Sequence, residues 1–408
     1  MKNYTDIIII GAGLSGIGSA CHLERKNPEK SYIIIEAREE LGGTWSLFKY
    51  PGIRSDSDMY TFGFSFKTWD NPKSFADAPN ILKYLDEAAN EYNIKDKIRY
   101  QTKVVKANFD TQKKMWSIST KNKNNTEEIF YSRFLFSCTG YYNYDEGYTP
   151  DYKGISNFEG KVIHPQHWPE NLDYKNKKVV VIGSGATAVT IVPEMAEKTS
   201  EITMLQRSPT YVGAFPNNDK YAQLIKKYFP KKIAHKLIRF KNIFVQILFF
   251  QACKIWPNYL KKLLVDAAQR QLGNFPAKPH FEPNYNPWDQ RFCVAPDGDL
   301  FKAIRKGKAN VVTDKIDSFD KNGIKLSSGK KLEADIIISA TGLKLLAFGG
   351  SKITIDNKVY SPSDAVTYKG LMLSGLPNCI FFAGYTNASW TLKSDLTSEY
   401  AVSYTHLT

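Results

Sequence analysis

The apolar positions of this chain fall into two kinds of pattern. Short unbroken runs end at glycines, and longer stretches repeat at helical spacing. Asp6–Ile10 carries four successive isoleucines and runs into Gly11-Ala12-Gly13-Leu14-Ser15-Gly16. That pattern predicts a strand buried on both faces, a tight turn and a helix over Leu14–Lys26. Tyr32–Glu36 predicts the next strand. Leu41 to Asp77 reads as irregular. From about Pro79 to Tyr92, apolar residues at Ile81, Leu82, Leu85, Ala88, Ala89 and Tyr92 predict a helix, with Pro79 suited to its first turn. Strand-like segments follow at Ile98–Phe109, Met115–Thr120 and Arg133–Cys138, and Thr139-Gly140 ends the block.

Pro150 to Asn176 is a turn-rich connector. Near Lys177 the opening pattern repeats as Val179-Val180-Val181-Ile182-Gly183-Ser184-Gly185-Ala186-Thr187-Ala188, with the following strand at Glu201–Gln206. Strands resume at Val311–Thr313, Gly323–Leu326 and Asp335–Ala340, and Thr341-Gly342 closes this block. A late apolar strand, Cys379–Ala383, precedes Gly384 and a helical segment at Ser394–Ala401. The reading is an α/β chain with two Rossmann-like dinucleotide-binding domains and a helical insertion in the second. Its expected division is 1–145 for the first domain, 146–176 for a connector, 177–340 for the second domain and 341–401 for a return to the first. Residues 402–408 (Val402 to Thr408) resemble a translated library adapter and are set aside as a non-native tail, with the natural C-terminus expected to be missing.

The two glycine turns carry opposite charge behind them. In such turns the backbone approaches a pyrophosphate at a helix N-terminus. Glu36, at the end of the first unit's second strand, accepts hydrogen bonds from ribose hydroxyls and repels a 2′-phosphate. Arg207, at the equivalent place in the second unit, attracts that phosphate, the alternative being a solvated surface arginine. The first site therefore suits FAD or NAD and the second NADP. Two such sites in one chain imply electron transfer between two cofactors.

Composition narrows the setting. An apolar content of 42% and aromatics at 13% suffice for sizeable cores. Five cysteines are scattered without a CxxC pair, which fits free thiols in a reducing cytoplasm. His164 and His167 are close, but Pro165 lies between them and no third metal ligand is near, so no metal is expected. No signal peptide is visible, and the longest apolar stretch, Ile243 to Phe250, is far short of the ~20 residues of a spanning helix.

The net charge is +14, and between Phe215 and Phe275 twelve Lys or Arg stand against Asp219 and Asp266, which gives +10 from this segment alone. Aromatic and aliphatic residues interleave with these charges. One reading is helices whose solvated basic face covers a domain; the other is peripheral contact with an anionic membrane surface. Nucleic-acid binding is disfavoured, because no recognition module accompanies the charge.

Phe158-Glu159-Gly160-Lys161-Val162-Ile163-His164-Pro165-Gln166-His167-Trp168-Pro169 resembles the fingerprint of the Baeyer–Villiger monooxygenases, class B flavoproteins, and sits between two nucleotide motifs as it does there. Tyr50-Pro51-Gly52-Ile53-Arg54-Ser55-Asp56-Ser57-Asp58, Gln206-Arg207-Ser208-Pro209-Thr210-Tyr211 and Tyr285-Asn286-Pro287-Trp288-Asp289-Gln290-Arg291 are similar to the ethionamide-activating branch of that family. The resemblance covers Asp6 to Ala401; family members continue further.

The resemblance implies FAD held by Gly11, Gly13, Ser15, Gly16 and Glu36, by the second flavin-side turn Gly43, Thr44 and Trp45, and by Asp56 and Val104. NADPH is expected on Gly183, Ser184, Gly185, Ala186 and Thr187, with Arg207 and Ser208 on its 2′-phosphate. Arg291 is the expected catalytic cation, with Asp56 positioning it; a structural pair between Arg291 and Asp289 or another acid, and a loop-cap role for Asp56, are the alternatives. His164 and Trp168 read as a hinge or as packed linker residues. Gly384–Trp390 either closes over the flavin or is a strand-to-helix turn with Ser389 as cap.

The implied activity is insertion of one oxygen atom from O2 into small apolar ketones, giving esters or lactones, and oxidation of sulfides or thiocarbonyls, through a C4a-peroxyflavin. Three rivals remain. They are an N- or S-hydroxylating flavin monooxygenase, a disulfide reductase (for which no redox cysteine pair exists) and a truncated FAD-binding remnant without turnover.

Overall fold

The computed structural model describes residues 3–407; Met1, Lys2 and Thr408 lie outside it. Two parallel-centred sheets organise the chain. In the first, the order is Lys358–Val359, Lys352–Ile355, Thr102–Asp110, Met115–Asn122, Glu127–Ser137, Tyr4–Ile10, Tyr32–Ile35 and Ile98–Arg99, with Cys379–Phe381 also paired to Glu127–Ser137. Tyr4–Ile10 lies parallel to both neighbours, Ile8 opposite Ile33 on one side and Leu135 on the other. Its isoleucines are buried on both faces, as the unbroken run predicts. Ile7 and Ile9 pack under helices α1 (Leu14–Lys26) and α4 (Ala78–Glu91), whereas Ile8 and Ile10 meet Val104, Trp116 and Ile353 from the antiparallel strands.

Between α1 and α4 the expected irregular stretch contains two single-turn helices, α2 (Thr44–Leu47) and α3 (Met59–Phe62). Asp58 caps α3 by accepting from the backbone N–H groups of Tyr60 and Thr61, both at 3.1 Å.

The second sheet is wholly parallel, in the order Asn310–Thr313, Glu201–Gln206, Lys178–Ile182, Ile336–Ser339 and Lys161–Ile163. Helix α5 (Ala186–Met195) covers one face. A three-stranded antiparallel sheet (Ile316–Asp320, Gly323–Leu326, Lys331–Glu333) covers the other, where Val180 and Ile182 meet Phe319 and Ile324. The expected insertion forms helices α6 (Lys220–Tyr228), α7 (Lys231–Ile255) and α8 (Pro257–Leu272), followed by α9 (Asp299–Arg305). The chain crosses between the two sheets at Tyr142–Gly147 and at Leu343–Leu345, and the two crossings pair antiparallel.

Four expectations need correction. The strand expected from Arg133 begins at Glu127, because Glu127–Ser132 pairs as a hairpin arm with Met115–Asn122, alternating exposed and buried positions from Ile129. The connector is not all turn: Lys161–Ile163 adds the edge strand of the second sheet. The insertion does not serve the second unit alone. Val265, Ala268 and Leu272 of α8 join its core, but Ala222 of α6 and Ile238 of α7 join the core of the first.

Finally, the last helix, α10, runs from Trp390 through Leu407 without a break at Ala401. Its first turn is fixed by Trp390 Nε1 donating to Ser15 Oγ (2.8 Å) and Thr391 Oγ1 donating to the Phe62 carbonyl (2.5 Å). Val402 and Thr405, set aside as tail, are buried there; Thr408 lies outside the described residues.

Candidate functional site

Each glycine turn follows its strand directly. Gly11 has φ +100°, and a Cβ on it would lie 2.7 Å from the Cys138 carbonyl oxygen; Gly183 has φ +137° and would meet the Ala340 carbonyl at 2.4 Å. Any side chain at either place would be strained and would push two parallel strands apart. Gly16 serves packing, since its Cβ would overlap the Gly11 carbonyl. The first turn then meets a second one. Gly13 and Gly43 approach so closely that a Cβ on Gly43 would be 3.0 Å from Gly13 Cα, and Gly42 N–H donates to the Ala12 carbonyl at 3.0 Å. Two bare backbone turns, each opening a helix, thus face one cleft, a fitting cradle for a pyrophosphate.

Glu36 stands at the floor of this cleft. One carboxylate oxygen accepts from Ala12 N–H (2.6 Å) and the other from Arg38 N–H (2.9 Å). Burial pushes its pKa up, and those main-chain donors oppose the shift. Each oxygen keeps a lone pair for a ribose hydroxyl.

The cleft belongs to a cavity of about 990 Å³. Gly11, Gly13, Ser15, Glu36, Gly43, Thr44, Trp45, Asp56, Val104, Ala186, Thr187 and Arg291 all line it. Gly16, Gly183, Ser184, Gly185, Arg207 and Ser208 do not. The last five lie at or beyond the mouth of the second turn, where Arg207 and Ser208 are exposed. Ser184 Oγ donates to the Ser208 carbonyl (3.1 Å) and bonds Thr210 Oγ1 (3.0 Å), which holds the Arg207 segment against the turn. Residues from both units therefore border one void, at the ends of the parallel strands where such folds bind their ligands.

Asp56 and Arg291, 235 positions apart, meet on this cavity. Arg291 Nε donates to Asp56 Oδ2 at 3.2 Å, and Nη2 donates to the same oxygen. The third nitrogen, Nη1, has no hydrogen-bond partner among the described residues. Asp56 beside it raises the Arg291 pKa further, against the lowering by desolvation, so the guanidinium stays charged at any working pH. Asp289 is not the partner of Arg291; it pairs with Lys254 at 2.8 Å. Asp58, not Asp56, is the cap of the loop's helix.

Aromatic groups complete the wall, among them Tyr141, Tyr142 and Tyr144, which the sequence reading did not single out. Tyr141 and Tyr142 follow Thr139-Gly140; their rings are 4.3 Å apart and their hydroxyls 3.0 Å apart. Trp390 lies 5.2 Å from Tyr141, ring to ring. Tyr50 and Thr187 both line the cavity, so the first unit meets the second turn there, and burial pushes the Tyr50 pKa up to about 12. Burial also raises Tyr142 and Tyr144. These phenols are therefore neutral hydrogen-bond donors near neutral pH. The only sequence signal was an aromatic run after a glycine turn.

The late segment closes on the cavity, with Gly384, Tyr385, Thr386, Ala388 and Trp390 on its surface. Ser389 does not act as the side-chain cap, since its buried Oγ has no partner. Ser15 is engaged by α10, accepting from Trp390 and from Ser394 Oγ (3.1 Å). His164 spans the two crossings. Its Nε2 donates to the Gly342 carbonyl (3.0 Å), its Nδ1 accepts from Gln166 N–H (3.2 Å), and its ring covers Gly147. Burial lowers its pKa, which keeps this neutral tautomer. Among the described residues no cluster could hold a metal ion, and all five cysteines are buried and free.

Comparison with known proteins agrees with this geometry. The pyridine nucleotide-disulphide oxidoreductase family matches residues 8–243. The chain is 52% identical over 402 residues to the FAD-containing monooxygenase EthA of Mycolicibacterium smegmatis, covering 98% of this chain and 82% of that protein. Among solved structures, OTEMO in complex with FAD and NADP superposes with a TM-score of 0.76 at 23% identity, covering 99% of this chain and 85% of that one. Cyclohexanone monooxygenase in an open form superposes at 0.79 and 18% identity, covering 99% and 87%. With an FAD cradle and a second nucleotide turn on one cavity, and with half its residues shared with EthA, the chain belongs to the pyridine nucleotide-disulphide oxidoreductase family and, within it, to the FAD-containing monooxygenases.

Proposed function

We propose that this chain is a Baeyer–Villiger-type monooxygenase using FAD and NADPH. It takes a small apolar ketone, O2, NADPH and a proton to an ester or lactone, NADP+ and water, and it oxidises sulfides or thiocarbonyls. The observation that carries this reading is the Asp56–Arg291 fork on a cavity bordered by both glycine turns.

Gly11, Gly13, Ser15 and Gly43–Trp45 would hold FAD, with Glu36 on its ribose and Val104 beside it. Gly183–Thr187 would hold NADPH, with Arg207 and Ser208 on the 2′-phosphate. The flavin, when bound, supplies hydride acceptance and the activation of O2. Arg291 keeps its charge and offers Nη1 to the negative charge that develops on the substrate carbonyl oxygen. A guanidinium held in place before the reaction stabilises that charge without having to reorganise. Asp56 fixes the fork. Tyr141, Tyr142 and Trp390 give the chamber an apolar wall that accepts a ketone and excludes water. The geometry of His164 supports a hinge role, because it ties one crossing between the units to the other.

The proposed setting is the cytoplasm, to which five free, buried thiols are suited, with peripheral membrane contact through the basic helices. Among the described residues no helix is long and apolar enough to cross a membrane. The test of the function is NADPH-dependent oxygen uptake with a panel of ketones and sulfides, with the products identified by mass spectrometry. NADPH consumption that yields only hydrogen peroxide would overturn it.

A further inference from the structure

Helix α7 is inside-out. Its 25 residues span about 37 Å. The face turned to the protein buries Ala234, Ile238 and Cys253 but is otherwise polar. Arg239 donates to the carbonyls of Tyr60 (2.8 Å) and Gly63 (2.9 Å), and Asn242 and Gln246 donate to the Asp58 carboxylate at 2.8 and 3.2 Å. At about 100° per residue the opposite face carries Ile233, Leu237, Phe240, Phe244, Leu248 and Ile255, all exposed, in a stripe interrupted at Gln251. Phe240 is 70% exposed and Phe244 51%. Trp256 and Tyr259 continue it at the C-terminal end, and Tyr228 and Phe229 lie at the other. The outward stripe of α7 is thus apolar, and the lysines of the basic face flank it.

A helix that spends its polar side inward and leaves such a stripe outside marks an interaction surface. The charges decide the occupant. Lys231, Arg239, Lys241 and Lys254 are paired with acids, but among the described residues no salt bridge takes Lys220, Lys227, Lys232, Lys236, Lys261 or Lys262. A second copy of this face would set lysines against lysines. An anionic lipid surface complements them and accepts the apolar stripe between them, with exposed tyrosine and tryptophan at the level of the headgroups.

We infer that the outward face of α7, with the adjoining ends of α6 and α8, seats the protein on an anionic bilayer. This rests on the peripheral-contact part of the proposed function and assigns it to specific residues. It also has a consequence for substrate supply. The inward face of α7 grips Asp58, two residues from Asp56, so a seated bilayer lies about one helix diameter, ~10 Å, from the loop that lines the cavity. Apolar ketones or sulfides dissolved in the bilayer would then be concentrated beside the cavity.

The test is co-sedimentation of the FAD-loaded chain with phosphatidylcholine vesicles and with vesicles that also contain phosphatidylglycerol. The chain should bind the anionic vesicles at least about tenfold better, and less so as salt rises from roughly 0.05 to 0.5 M. The double variant Phe240→Glu/Phe244→Glu should lose that binding by about tenfold or more, while FAD content, melting temperature and turnover of a water-soluble sulfide stay unchanged. Lys261→Glu/Lys262→Glu should weaken binding to anionic vesicles alone. No binding to anionic vesicles at low salt overturns the inference. So does a dimer in analytical ultracentrifugation that the phenylalanine variant dissociates, in a protein that ignores vesicles. If the phenylalanine variant still binds and the lysine variant does not, peripheral contact stands but the assignment to α7 fails. Turnover, measured separately, reports on the enzymatic reading whatever the vesicles show.

Discussion

Replacing Asp56 by asparagine keeps the shape of its loop and removes the charge that holds Arg291. At 3.2 Å and an effective dielectric of about 20, the pair attracts by about 5 kcal/mol before screening. The Arg291 side chain is 56% exposed, so water and salt take up most of that, and the net hold of the fork is about 1–2 kcal/mol. Losing it lowers the population of the docked guanidinium about 5- to 30-fold, and oxygenation should slow by that factor. Arg291→Ala removes the charge itself and should cost more, about 100- to 1000-fold. Two measurements separate the steps: anaerobic bleaching of the flavin by NADPH in a stopped-flow instrument, and ester formation from a simple ketone. Reduction should be nearly unchanged in both variants while ester formation falls in the order stated. Equal losses in reduction and oxygenation, or an Asp56→Asn loss exceeding that of Arg291→Ala, would refute the reasoning.

Further expectations follow from other parts of the site. Arg207→Ala should raise the KM for NADPH by about 10- to 100-fold, the worth of one charge-assisted contact, and leave NADH kinetics nearly unchanged; an equal effect on both coenzymes would remove the phosphate role. Glu36→Gln keeps one acceptor but turns an amide N–H toward a main-chain donor, so its FAD Kd should rise at least about tenfold, as read by flavin fluorescence on titration. His235 is buried, and desolvation with nearby Arg239 lowers its pKa to about 4. The unfolded chain then binds the extra proton first, so this residue's contribution to stability is complete above about pH 6.5 and is lost as pH falls toward 4. His235→Phe should flatten the drop in melting temperature between pH 7 and 4.5; an unchanged slope would show that other groups cause it.

The sequence carried the parts of this molecule that depend on local physics. A buried strand must be apolar at every position, and a glycine must follow where the turn touches a neighbouring carbonyl, so Ile7–Gly16 and Val179–Ala188 are readable without a structure. Glu36 was legible for the same reason, since it lies at a fixed remove from its turn, and Arg207 occupies the equivalent place after the second. The meeting of Asp56 with Arg291 was anticipated through the family resemblance, since no periodicity links residues so far apart. Trp390 was anticipated within the Gly384–Trp390 segment, but its partners Tyr141 and Tyr142 were missed, because the three acquire a common surface only when α10 packs on α1 through Ser15, Ser394 and Trp390.

Helix α7 shows a deeper limit. Apolar periodicity assigns the greasy side to the interior. Here the inward side, besides burying Ala234, Ile238 and Cys253, satisfies the carbonyls and the capping carboxylate of a four-residue helix, a demand invisible in the local sequence. Residues 402–408 resemble a translated library adapter, and in the fold α10 continues through Leu407 with Val402 and Thr405 buried.

The most direct test of the central claim is turnover under 18O2, with NADPH and a ketone supplied to the FAD-loaded chain. The account predicts an ester whose mass rises by one 18O atom, with the second atom in water. Steady NADPH oxidation in which the label appears only in hydrogen peroxide, with no oxygenated product, would contradict it.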